Sequence, residues 1–143
     1  MRSVWLCALP LARSRHNSPA LPHAVTSAVK ACKGTGHCVI GLALASASDA
    51  LAVSSAVAKA FPLYSHKSGC KSEQTVVATF SVALPDGELA LVRDVAAGVR
   101  LAARLVDAPC EEMHAGVLVA EAEAVADELG LAHVTIRYVC VCF

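Results

Sequence analysis

The stretch CVIGLALASASDALAVSSAVAKAFP, residues 38–62, changes periodicity partway along. Cys38 to Ala43 is a continuous apolar run and reads as a strand buried on both faces. Ser46 and Ser48 then offer side-chain oxygens that can cap a helix. Beyond them Leu51, Val53, Ala56, Val57 and Ala60 fall on one helical face, so the helix reaches about Phe61, where Pro62 ends it. A buried strand running into a small-residue helix is the unit of an α/β fold.

Working outward, the same alternation continues. Val4 to Leu9 reads as a short strand and Ala12 to Asn17 as a polar loop. Ser18-Pro19 predicts a helix start, with Ser as N-cap and Pro in the first turn. That helix extends to about Lys33, with Val25, Ala28, Val29 and Cys32 on one face, and Gly34-Thr35-Gly36 stops it. On the other side, Leu63 to His66 suggests a short strand and Lys67 to Glu73 a loop. Gln74 to Leu84 is a strand rich in β-branched residues. Pro85-Asp86-Gly87 is a turn from which Asp86 can cap the next helix. In that helix Leu89, Val92, Ala96, Val99, Ala102, Ala103 and Val106 share a face, Arg93, Arg100, Arg104 and Asp107 lie on another, and Pro109 ends it. His114 to Leu129 predicts a further helix, with Leu118, Ala122, Val125 and Leu129 inward and Gly130 at C′. His133 to Val139 reads as a last strand. The expected class is α/β with a mixed, partly parallel sheet flanked by helices.

At 143 residues the chain suits one compact domain. Its apolar share is 56% but its aromatic share only 4%, so small side chains carry the core and stability is modest. Net charge is zero, which argues against nucleic acid as the main partner. No acidic residue precedes Asp49, whereas Glu111 to Glu128 is acidic in balance. Seven cysteines at irregular spacings point to reduced thiols in a cytosolic-type protein. The start, with Arg2, a short apolar run, then Arg13 and Arg15, has the look of a targeting peptide, but a buried strand is the preferred reading. The longest apolar stretch, Cys38 to Ala47, is too short for a membrane span.

Residues with catalytic potential form no recognisable set. Gly34-Thr35-Gly36 precedes a strand, the wrong order for a dinucleotide loop. His16, His23, His37, His66, His114 and His133 contain no i, i+4 pair, and Cys140 and Cys142 lack a partner pair for zinc. Asp107, Glu111 and Glu112 cluster about Pro109, where acids complement the start of the next helix. Cys110 has no recognisable histidine partner, and Ser18 and Ser65 sit in no nucleophile elbow. The Arg93, Arg100 and Arg104 stripe is a solvated face or a contact with further protein. The residues by themselves therefore assign no catalytic, cofactor-binding or metal residue.

Three segments carry a resemblance. They are Ser14-Arg15-His16-Asn17-Ser18-Pro19, the run from Ala60 to Gly69 (AFPLYSHKSG), and the run from Gly98 to Met113 (GVRLAARLVDAPCEEM). Together they resemble the leucyl aminopeptidase family, most closely its animal aminopeptidase-like branch. The likeness extends in order over residues 4–137 and is most specific in the third segment, which resembles the junction between the family's two domains. The resemblance implies a macro-like N-terminal domain over 1–87, a junction helix and lead-in to the catalytic domain over 88–137, and a divergent tail over 138–143. It also implies that the N-terminal domain is incomplete and that the chain stops before the catalytic domain.

For the whole family protein, the resemblance implies a cytoplasmic hexameric metallopeptidase. It removes N-terminal residues from peptides with two divalent metals, zinc, manganese or magnesium, held by lysine, aspartate and glutamate. None of those ligands maps onto this chain, which lacks the family's Asn-Thr-Asp-Ala-Glu-Gly-Arg run. The expectation is a non-catalytic fragment with no cofactor of its own and neither nucleic acid nor membrane as partner. The rival reading is a small-molecule module of ADP-ribose-binding type, or an oligomer-contact module, with no peptidase role.

Overall fold

A computed structural model describes residues 3–12, 16, 18–32, 34, 36–64 and 74–136. The elements in order are α1 (Pro22–Cys32), β1 (Cys38–Leu42), a 3-10 turn (Ala47–Asp49), α2 (Ala50–Ala60), β2 (Val76–Phe80), α3 (Asp86–Asp107) and α4 (Ala115–Glu128). The fold is mixed α/β, as the alternation predicts. The chain divides into two compact units, Met1–Arg104 and Leu105–Phe143.

In the first unit β1 and β2 pair in parallel, Cys38 opposite Val76 through Leu42 opposite Phe80. The ladder is extended at both ends. Cys38 N donates to Thr75 O, and Ser81 N donates to Leu42 O. Because the strands are parallel, α2 is the crossover that returns the chain to the sheet. The core sits between α1, α2 and one sheet face. Val25, Val53, Ala56, Val57, Ala60 and Phe61 are buried there, with Cys38, Ile40, Leu42 and Val76 packed against them. Ala60 is fully buried, and its lack of bulk suits the close approach. Thr26 adds a polar tie: its hydroxyl donates to Pro22 O in its own helix and to Ala56 O in α2, at 2.9 Å.

Several expectations are corrected. The Cys38–Ala43 run is not buried on both faces: Cys38, Ile40 and Leu42 are half-buried while Val39 is 73% exposed. Among the described residues only one face has helices against it, so the apolar run does not guarantee two coverings. Val4 to Leu9 is not a strand, and its side chains are exposed. A strand needs a ladder partner for its backbone, and among the described residues the only pairing joins β1 and β2. The strands expected at Leu63–His66 and His133–Val139 are absent from Leu63, Tyr64 and residues 133–136 for the same reason. Residues 65–66 and 137–139 lie outside the described residues, as do the loop segment 67–73 and the tail 138–143. The Gln74–Leu84 strand is shorter, Val76–Phe80, because its register ends with β1.

The first helix begins at Pro22, not at Pro19. Ser18 forms a turn instead: its carbonyl accepts from Leu21 N and its hydroxyl from Ala20 N. Leu21 then serves as the helix entry, its carbonyl accepting from Ala24 N and Val25 N. A residue before proline avoids the right-handed helical region, and Leu21 takes φ 45°. This left-handed conformation costs about 1 kcal/mol, which the burial of Leu21 offsets.

Ser46 caps as expected, but onto the 3-10 turn that leads into α2, its side chain accepting from Ser48 N. Leu51 is 39% exposed rather than inward, whereas the other inward positions of α2 are buried. Asp86 is the first residue of α3, so Pro85 supplies the first carbonyl, to Leu89 N. On the apolar face of α3, Val92 is buried, Leu89, Ala96, Val99 and Ala103 are half-buried, and Val106 is 83% exposed.

The second unit contains α4. His114 is its N-cap, with Nδ1 accepting from Gly116 N, and Gly130 follows the last turn at φ 65°, the C′ geometry predicted. Ala126 is the buried residue of α4, whereas Leu118 and Leu129 are exposed.

Candidate functional site

No site was assigned from sequence, so each residue with chemical potential is placed in turn. Two segments that precede the strands are laced together. Gln74 Nε2 donates to Gly34 O at 3.1 Å and to Gly36 O at 2.7 Å, while Thr75 N donates to His37 Nδ1 at 3.0 Å. The glycine segment thus presents carbonyls to an amide donor, an arrangement that fixes the entry to β1 rather than cradling an anion.

The histidines are spread among separate local tasks. His37 holds Thr75, and His114 caps α4. His133 Nδ1 lies 3.9 Å from Asp127 Oδ1 at the end of α4. His16 and His23 are exposed, and His66 lies outside the described residues. The carboxylate cluster resolves into turn chemistry. Pro109 O accepts from Glu112 N and Met113 N, and Asp107, Glu111 and Glu112 are exposed around that turn. Cys110 is a free, exposed cysteine in the same turn. Arg93 and Arg100 are exposed on α3, and Arg104 is half-buried. Thr135 donates its hydroxyl to the Glu123 carboxylate, tying residue 135 to α4. Ser65, Cys140 and Cys142 lie outside the described residues.

One juxtaposition escaped the sequence reading. Cys7 Sγ and Cys32 Sγ are 3.3 Å apart, sharing a hydrogen bond between an exposed extended segment and the end of α1. Both are free thiols. The hydrogen bond shared with Cys7 is the main reason the Cys32 thiol titrates above its ordinary range, with slight desolvation and the Cys7 charge adding to it. No signal in the sequence could have shown the pair, because neither spacing nor local motif links the two residues.

The two divalent metals implied by the resemblance find no matching ligand set here. Among the described residues no group of three or more His, Cys, Asp or Glu side chains is close enough to hold an ion. Among them, too, no helix is long and apolar enough to cross a membrane.

Comparison with known proteins places the chain among relatives. Residues 1–70 match the family model described as M17 aminopeptidase N-terminal domain 2. The chain is 36% identical over 148 aligned residues to "Probable aminopeptidase NPEPL1" of Mus musculus, covering 96% of this chain and 28% of that relative. Against the Homo sapiens protein of the same name it is 35% identical over 143 residues, 92% of this chain and 27% of the relative. The chain therefore spans little more than a quarter of the curated relatives it matches. No solved structure matches it. Both alignments run through the segments that carried the resemblance, and the chain belongs to the M17 aminopeptidase family, by way of its N-terminal domain.

Proposed function

We propose that this chain is the non-catalytic N-terminal part of a metal-dependent aminopeptidase and does not hydrolyse peptides by itself. The observation that carries the reading is the match of residues 1–70 to an N-terminal domain of that family. The scattered placement of the described histidines and carboxylates supports it, since two-metal hydrolysis needs ligands converging on one pair of ions. In this reading residues 1–87 are a macro-like domain, 88–137 lead toward the catalytic domain, and 138–143 are a divergent tail. The metals, zinc, manganese or magnesium, belong to the catalytic part of the whole protein, whose substrates are peptides with a free N-terminus. The whole protein works as a cytoplasmic homo-oligomer, a hexamer.

The test is a leucine-amide hydrolysis assay of the purified chain with added Mn²⁺ or Zn²⁺. The expected result is the rate of the buffer blank at every metal concentration. Turnover that rises with metal, is lost with chelator and co-elutes with the chain overturns the proposal.

A further inference from the structure

Cys7 and Cys32 stand 25 positions apart in sequence and 3.3 Å apart at their sulfurs. Cys32 is the last residue of α1, a helix anchored by buried Val25 and by the Thr26 tie to α2. Cys7 lies in the segment 3–12, which forms no helix or strand and exposes its side chains. One sulfur is thus fixed and the other can be carried the remaining distance, about 1 Å, to disulfide bonding range without disturbing core or ladder. Among the described residues the two other thiols are placed differently. Cys38 is packed against the core at the start of β1, and Cys110 is exposed in the turn after α3.

We propose that Cys7 and Cys32 form a reversible thiol–disulfide pair, oxidised by a small-molecule disulfide such as oxidised glutathione, that staples segment 3–12 to the end of α1. Exposed Cys7 attacks first. Its thiolate bonds to one glutathione sulfur, and the glutathione disulfide breaks to release one glutathione thiolate. The Cys32 thiolate then attacks Cys7 Sγ in the mixed disulfide and expels the second glutathione. The protein loses two thiol protons and two electrons, and one oxidised glutathione becomes two reduced ones. Abundant reduced glutathione holds the pair open, in keeping with the reduced state that the cysteine pattern predicts.

The reduced full chain is placed in glutathione buffers of falling reduced-to-oxidised ratio, quenched with acid, alkylated and mapped by mass spectrometry. The expected product is a monomer containing a Cys7–Cys32 linked peptide. It should form about ten-fold faster than any other cysteine pair, because the sulfurs are already adjacent. Cys7→Ser and Cys32→Ser should each abolish that peptide. Mapping of the unsubstituted chain decides the matter even where a variant fails to fold. Persistent glutathione adducts at either cysteine, a different internal pairing, or only intermolecular dimers overturn the proposal.

Discussion

Helices α2 and α3 invert the expectation that the clearer pattern buries more. In sequence α3 is the more regular element, 22 residues with apolar and arginine-bearing faces, while α2 is an alanine-rich run of 11. In the structure α2 buries Ala50, Val53, Ser54, Ala56, Val57, Ala58 and Ala60, whereas α3 buries only Val92. Amphipathic spacing makes a helix able to bury one face. Burial itself requires a surface to receive it. α2 has α1 and one face of the β1–β2 sheet within its own unit. α3, about 33 Å long at 1.5 Å per residue, has no equivalent covering among the described residues, and its end residue Val106 is 83% exposed.

The contrast can be broken by mutation, beginning where the effect is greatest. Phe61→Ala removes the bulkiest side chain of the α1–α2 core and should cost about 3–5 kcal/mol in urea unfolding. A loss below about 1 kcal/mol would show that this cluster is not the folding core. Thr26→Val keeps the shape but deletes the hydroxyl that bridges α1 to α2, and should cost about 1 kcal/mol. An unchanged midpoint would mean that Ala56 O is equally well served by solvent. In the second unit, Gly130→Ala forces a Cβ onto a left-handed residue and should cost about 1 kcal/mol, seen as loss of helicity in circular dichroism. The open space around Gly130 makes this a test of backbone strain alone. Val106→Ala, on the exposed end of α3, should change stability by less than about 0.5 kcal/mol. A larger loss would reveal a covering for α3 and erase the difference between the helices.

A final substitution sharpens the comparison through chemistry rather than stability. Cys7→Ala removes the hydrogen bond that chiefly raises the Cys32 thiol. Alkylation of Cys32 by iodoacetamide should then begin at lower pH than in the unsubstituted chain, because the thiolate is the reactive form. An unchanged pH profile would place the cause elsewhere, at the end of α1 itself.

The legible parts of the fold share one property: their causes are local. Pro62 and Pro109 mark helix ends from their own geometry, and Gly130 takes the left-handed turn after α4 because it lacks a side chain. The periodicity starts that helix at His114, whose Nδ1 supplies the cap. The illegible parts depend on distant residues. Val4 to Leu9 has strand composition, but composition provides no ladder partner. Ser18 has the chemistry of an N-cap, yet Pro22 and the burial of Leu21 move the helix entry three residues beyond Pro19. For the candidate site, the sequence reads the acids about Pro109 as chemistry at the start of the next helix, and the structure sets them around a turn closed on Pro109 O. It could not reveal Cys7 beside Cys32, since the approach is made by the path of the chain through α1 and not by spacing.

The sequence by itself therefore determined the α/β class, the existence of the four helices and two paired strands of the described residues, and the likeness to the aminopeptidase family. These follow from side-chain periodicity, from proline and glycine punctuation, and from motif likeness, all of which are written along the chain. Only the tertiary structure decided which apolar faces were covered, that among the described residues helices pack on one side of the β1–β2 sheet, and that two thiols remote in sequence meet. The reason is that burial and contact are properties of pairs of surfaces, and the second surface is never encoded in the residues that form the first.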